Sequence, residues 1–83
     1  MCFGNILKNE KQLHESIWRA MERKGVIVVA GEIKCTVNHF HYKATLTYKK
    51  EGAFFIKEIC GYGDSKKSAL IALKKHIDTQ TEF

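Results

Sequence analysis

Two adjacent lysines near the end of the chain are the residues whose chemistry most needs an explanation. The segment 61–65 interrupts a strand-like run, and Asp64 or Ser65 can cap a helix, so Lys66 and Lys67 are expected in a helical first turn. Aligned peptide dipoles place partial positive charge there, which disfavours each ammonium group by about 0.3 kcal/mol. Unpaired backbone N–H groups and two lysines together form an anion site, and phosphate is its natural ligand.

The sequence around the lysines and the net charge agree with an anionic partner. Gly61 and Gly63 are expected to let the backbone approach a bulky partner, since they carry no side chain. Fourteen Lys and Arg oppose nine Asp and Glu, which gives a net charge of +5. Nucleic acid, an anionic membrane and an acidic protein surface are the partner classes that such a charge favours. The alternative is that the charge only maintains solubility and that the lysines are solvated.

Other combinations of reactive side chains are weaker. His39 and His41 share a strand face with Cys35, but a structural zinc site needs four donors and a fourth is not indicated, so we predict no metal and no cofactor. No cysteine–histidine spacing indicates a nucleophile, and we predict no enzymatic activity and no small-molecule substrate. The three cysteines have no paired spacing, which is typical of a reducing, intracellular compartment, most simply the cytoplasm.

The first element that would position these residues is a helix over residues 9–24. Its apolar residues recur with the helical period and form one stripe: Leu13, Ile17, Ala20 and Met21. Asn9 is the expected N-cap, and Gly25 is the expected stop because glycine adopts the left-handed conformation easily.

Three strands are predicted to follow. Residues 26–30 form a β-branched run, either a buried strand or the start of one, and residues 32–37 continue it with alternating polarity. Residues 42–49 alternate more regularly, which indicates a sheet with one buried and one wet face. Gly52 is expected at the positive-φ position of a hairpin turn, and residues 53–60 are predicted as the third strand.

A second helix from Asp64 or Ser65 completes the chain, and its predicted inward stripe comprises Ala69, Ala72, Leu73, His76 and Ile77. The fold class is therefore α+β in the order α-β-β-β-α, a three-stranded antiparallel sheet with both helices packed on one face. We predict a single domain over residues 1–83 with an ordered core of about residues 9–78 and a frayed segment 79–83.

No apolar run reaches the ~20 residues of a membrane span, and no secretory signal is evident, so a soluble protein with no membrane partner is expected.

The motif Gly61-x-Gly63-x-Ser65-Lys66-Lys67-x-Ala69 resembles the segment that opens the last helix of double-stranded RNA-binding domains. The element order and the chain length are similar to that family too. The resemblance implies that Lys66 and Lys67 bridge phosphates of the RNA major groove. It also implies that Ser65 caps the helix and donates to a phosphate. Non-catalytic binding of double-stranded RNA is the function it favours.

The same resemblance assigns further contacts on a duplex read by its shape over roughly 16 base pairs. The expected minor-groove residues are Gln12, Glu15 and Arg19 in the first helix and His39 and His41 between the first two strands, while Lys74 would extend the phosphate track. The chain also departs from the family. Leu70 stands where a third lysine is usual, alanines are replaced at Leu73 and Lys74, and the Gly-Pro-x-His hairpin motif is absent.

Two other hypotheses remain open at this point. The same scaffold would suit a small basic interaction protein, for example a viral or phage inhibitor, that docks on a protein or a nucleoprotein complex. A homodimer is the third, because the chain has more aromatic residues than one small sheet face needs: Phe40, Tyr42, Tyr48, Phe54 and Phe55. The same aromatics would also allow stacking of single-stranded nucleic acid.

Overall fold

The computed structural model describes residues 10–83 and confirms the α-β-β-β-α order and the α+β class. The strands form one antiparallel sheet in the order β1-β2-β3, so β2 is central and β1 and β3 are the edges. The elements are α1 (Glu10–Arg23), β1 (Val28–Asn38), β2 (His41–Lys50), β3 (Lys57–Gly63) and α2 (Lys66–Thr79).

Helix α1 forms as its apolar period predicts. Its four stripe residues are all buried, and together they face the rest of the core. The helix ends at Arg23, where Gly25 takes φ +78° and its N–H donates to the Glu22 carbonyl at 2.9 Å. That geometry is the predicted glycine stop. The predicted cap Asn9 lies outside the described residues.

The register of the sheet aligns small and apolar residues on the face under the helices. Ala44 lies between Cys35 of β1 and Gly61 of β3, and Leu46 lies between Ile33 and Ile59. In β2 the side chains of Ala44, Leu46 and Tyr48 are buried in alternation, as the period of two requires. The predicted turn also forms, with φ +80° at Gly52.

The predicted third strand, residues 53–60, is wrong at both ends. A turn in which the Ala53 N–H donates to the Lys50 carbonyl keeps residues 53–56 out of the sheet, and pairing with β2 begins only at Lys57, opposite Tyr48. At its other end β3 continues through Gly63, which was expected to lie in the break after the strand. The apolar run was informative about burial near Ile59 but not about where the turn ends.

Helix α2 is rotated relative to its predicted stripe. Its buried residues are Ala69, Leu70, Leu73 and Ile77, whereas His76 is exposed and Ala72 is only partly buried. The reason is that α2 packs against α1 as well as against β2 and β3, so the buried face turns toward Leu70. His76 instead lies at the rim, with Nδ1 2.9 Å from the carbonyl oxygen of Cys60.

The two helices lie side by side and run in the same direction. At one end the Lys66 Nζ is 3.9 Å from the Glu10 Oε1, which joins the two first turns. At the other end the Lys24 Nζ donates to the Asp78 carbonyl at 2.7 Å. These two contacts place both helix starts together and both helix ends together.

Residues 79–83, expected to fray, make contacts in the structure. Phe83 is partly buried against the core, and the Lys50 ammonium group donates to its carbonyl oxygen. The Gln80 N–H donates to the carbonyls of His76 and Ile77 and so closes α2. Within residues 10–83, neither helix combines the length and apolarity that crossing a membrane requires.

Candidate nucleic-acid interface

Three of the predicted contact regions lie at the same end of the molecule. Gly63, which leads into α2, pairs with Tyr42 near the start of β2, so the start of α2 lies beside the β1–β2 turn. The Glu10–Lys66 contact brings the start of α1 to the same place. We call this the hairpin end and define it as residues 38–41, residues 65–67 and the first turn of α1.

The start of α2 is capped by Ser65, one of the two predicted caps. Ser65 has extended backbone angles (φ −144°, ψ 168°), and its Oγ accepts a hydrogen bond from the Ser68 N–H at 3.1 Å. Its hydroxyl proton is directed to the Ser68 Oγ, also at 3.1 Å, so donation to a phosphate would require that contact to break. Within the described part of the chain, the backbone N–H groups of Lys66 and Lys67 keep no helical partner.

The two lysines of the motif differ in their surroundings. The Lys66 side chain is 52% exposed and pairs with the half-exposed Glu10 at the outer limit of an ion pair, which is worth about 0–1 kcal/mol. Lys67 is exposed, and no ion pair to it is found among residues 10–83. Glu10 and the exposed Asp64 reduce the net charge nearby. Lys67 is therefore the more available cation of the two.

Lys74 is less available than Lys67. It lies seven residues further along α2, about two helical turns, and so on the same side. Its Nζ is 3.4 Å from the Asp78 Oδ2, and its side chain is only 35% exposed. Lys74 therefore lies on the side of α2 where the phosphate contacts are predicted, but its ammonium group forms an i,i+4 ion pair with Asp78.

The three predicted contacts of α1 share one solvent-facing side. Gln12, Glu15 and Arg19 are exposed and lie three and four residues apart, which is the spacing of neighbours on one helix face. The buried stripe of α1 occupies the opposite side, so packing leaves this face open. The structure thus presents these residues together, along α1 from the hairpin end.

The β1–β2 turn presents both predicted histidines to solvent. His39 lies in the turn with φ 56°, the only non-glycine residue with positive φ in residues 10–83, and His41 begins β2. Phe40 stands between them and is 91% exposed. Phe40, expected among the aromatics of the sheet, thus lies at the tip of the turn. The signal for it was the short polar interruption between two alternating strands.

The two glycines of the motif serve the fold and not an external partner, which corrects their predicted role. A Cβ added at Gly61 would lie 2.6 Å from the Leu73 Cα, and one at Gly63 would lie 2.6 Å from the Ala69 nitrogen. Such distances are shorter than any real contact, so α2 lies directly on the backbone of β3. The glycines therefore hold the start of α2 close to the sheet.

Cys35 lies beneath the hairpin end, and the pKa of its thiol depends on the charges there. Burial raises the pKa of the Cys35 thiol, the Glu10 carboxylate raises that pKa further, and the Lys66 ammonium lowers it. A raised pKa keeps the thiol neutral, which is unfavourable for a nucleophile. No group of three His, Cys, Asp or Glu in residues 10–83 is arranged to hold a metal ion.

The aromatic residues do not form one surface on the sheet. Tyr48 is buried in the core, and Tyr42 is partly buried against it. Phe54 and Phe55 lie in the β2–β3 loop, at the opposite end of β2 from Phe40. Of the five aromatics on which the homodimer hypothesis depends, Tyr48 and Tyr42 therefore contribute to the core, whereas Phe40, Phe54 and Phe55 are exposed in the two loops.

Comparisons with family models, with curated proteins and with solved structures found no significant match to this chain. The function is therefore inferred from the residues and the geometry of the hairpin end. That end combines an exposed cationic helix start, a strained histidine turn and the open face of α1.

Proposed function

We propose that this chain is a non-catalytic module that binds double-stranded RNA through the hairpin end. The observation that carries the proposal is the start of α2, which has two exposed lysines, open N–H donors and no acidic residue in its first turn. This arrangement disfavours the free helix and favours a bound phosphate. Its position beside the β1–β2 turn supports a ligand large enough to contact both.

Duplex RNA matches this distribution of groups. A-form RNA has a narrow major groove lined by phosphates and a wide minor groove that displays ribose hydroxyls. Lys66 and Lys67 would contact phosphates across the major groove. The histidine turn and the open face of α1 would each contact a minor groove, where exposed imidazole, amide, carboxylate and guanidinium groups can bond to ribose hydroxyls. Recognition would follow shape and depend steeply on salt.

The proposal is tested with the full chain and three probes: a 20-base-pair RNA duplex, a DNA duplex of the same sequence and the single strands. Fluorescence anisotropy at several salt concentrations should show preference for the RNA duplex. Replacing both Lys66 and Lys67 with alanine should weaken RNA binding at least tenfold and reduce the salt slope by about 2, since roughly one unit is lost per phosphate contact. Circular dichroism should show the same fold.

A matched control removes two positive charges at the other end of the molecule. Arg23 ends α1 and Lys57 begins β3, and both are exposed. Replacing both with alanine lowers the net charge equally but should leave most of the RNA affinity. Equal weakening in the two double variants would mean nonspecific charge attraction and would contradict the proposal, as would equal affinity for all three probes.

A second candidate function is docking on a protein, which one observation favours. Phe54, Phe55 and Ile56 are 91%, 78% and 67% exposed in the β2–β3 loop, far from the hairpin end. Exposed apolar groups in such number are typical of protein contacts. If no nucleic acid binds at low salt, this interaction role is the one the chain supports.

Cys35 and Cys60 are free thiols, and in either case we propose a reducing compartment such as the cytoplasm.

A further inference from the structure

Strand β1 forms an open edge of the sheet. It pairs with β2 on one side, and nothing in residues 10–83 pairs with its other side. It has eleven residues and no proline, with one register shift between Val28 and Ala30 that leaves residues 30–38 continuous, whereas β3 at the opposite edge has seven. Native proteins usually shorten, cover or interrupt such an edge, because its free N–H and C=O groups can recruit another strand.

The side chains along this edge are accessible. Val29 is 57% exposed and Val37 is 63% exposed, one near each end of the strand. Between them Glu32 and Lys34 are exposed, and the Lys34 Nζ lies 3.5 Å from the Glu32 Oε1. A groove of about 810 Å³ beside Trp18 and residues 25–31 separates α1 from the start of β1, so the helix leaves that part open.

The sequence of β1 is complementary to itself when two copies run antiparallel. Pairing centred on Ile33 places Glu32 of each copy opposite Lys34 of the other, within residues 30–38, where β1 pairs continuously with β2. Both charge pairs are then favourable. Moving the centre to residue 32 or 34 places like charges opposite each other. A one-residue slip pairs core-facing side chains with solvent-facing ones.

We propose that two copies of this chain associate through their β1 edges, antiparallel and centred on Ile33, and so join two three-stranded sheets into one of six strands. The interface is isologous, since each copy contributes the same residues. The second copy is the occupant because both members of each complementary charge pair lie within the continuous part of one strand. If the proposed RNA function also holds, the two hairpin ends point in opposite directions, because the two β1 strands do.

The test is sedimentation velocity of the full chain without RNA over a range of concentrations. The unmodified chain should show a monomer–dimer equilibrium. Glu32→Lys or Lys34→Glu alone should raise the dissociation constant about tenfold or more, since each reversal creates two like-charge pairs. The double exchange, Glu32→Lys with Lys34→Glu, should restore dimerisation. Lys57→Glu makes the same charge change at the β3 edge and should have no effect.

Three results would overturn this proposal. They are a monomer at every concentration, a dimer that both single reversals leave intact, and a dimer that the double exchange does not restore. All the substituted side chains are exposed, so the variants should fold, and circular dichroism verifies this. Because RNA is absent, failure here leaves the RNA-binding test unaffected, and the reverse also holds.

Discussion

The two helices are equal in length but differ in the charges of their first turns. Each has fourteen residues, and they lie parallel on one face of the sheet. Helix α1 has Glu10 beside Lys11 in its first turn and Glu22 beside Arg23 in its last, so the charges at each of its ends balance. Helix α2 has Lys66 and Lys67 and no acidic residue in its first turn, so the charges at its start oppose the helix dipole, while His76 and Asp78 lie near its end.

The difference between the two first turns is better explained by a bound ligand than by the stability of the fold. Both helix starts are exposed at the hairpin end, so exposure does not explain why only α2 begins with two lysines and no acidic residue. Glu10 partly compensates Lys66 across the helix pair, but no acidic side chain within residues 10–83 forms an ion pair with Lys67. The proposed phosphate ligand accounts for that excess, since bound RNA would supply the missing negative charge.

The largest expected effect concerns how α2 is held against the sheet. Replacing Gly61 with alanine should destabilise the protein by about 3 kcal/mol, because the new Cβ meets the Leu73 backbone and cannot be relieved by a side-chain rotation. Gly52→Ala is the control. It adds a Cβ in open space at φ +80° and should cost about 1 kcal/mol of backbone strain alone. Urea denaturation measures both, and equal losses would refute the packing explanation.

A paired charge reversal tests the helix comparison directly. Glu10→Lys should destabilise the fold by about 0.5–1 kcal/mol, because it opposes the α1 dipole and approaches Lys66, whereas Lys67→Glu should stabilise it by about 0.3–0.5 kcal/mol. The second variant should also lose RNA affinity. Thermal unfolding at low and high salt measures both, and the two effects should shrink together with salt. Loss of stability in Lys67→Glu would show that this lysine supports the fold.

The smallest expected effect is on the Cys35 thiol between the two helix starts. Its pKa lies above the ordinary value of 9.0, so the stability that it contributes is complete below pH 9 and declines as the pH rises further. Glu10→Gln should lower this pKa, and Lys66→Ala should raise it. The pH dependence of alkylation, in a chain whose other two cysteines are serine, measures the shift. Lys67→Ala serves as the control, and a shift as large as that of Lys66→Ala would contradict the geometry.

Local patterns predicted the elements well and their contacts less well. The α1 stripe, the glycine stop at Gly25 and the turn at Gly52 each depend on a few neighbouring residues, and all three are confirmed. The strand predicted over residues 53–56 is wrong because an apolar run can belong to a strand or to an exposed loop. His76 fits the helical period as well as Leu70 does, and only the position of α1 decides which one is buried.

The candidate site also combines features that follow from local sequence with features that depend on tertiary contacts. That two lysines stand in the first turn of a helix is a property of consecutive residues, and the sequence alone determined it, whereas the structure decided between Asp64 and Ser65 as the cap. Only the tertiary structure decided that Gly61 and Gly63 support α2, that Glu10 reaches Lys66, and that the histidine turn lies beside both. These depend on strand register and helix packing, which join residues far apart in the chain, and local periodicity contains no information about such distances.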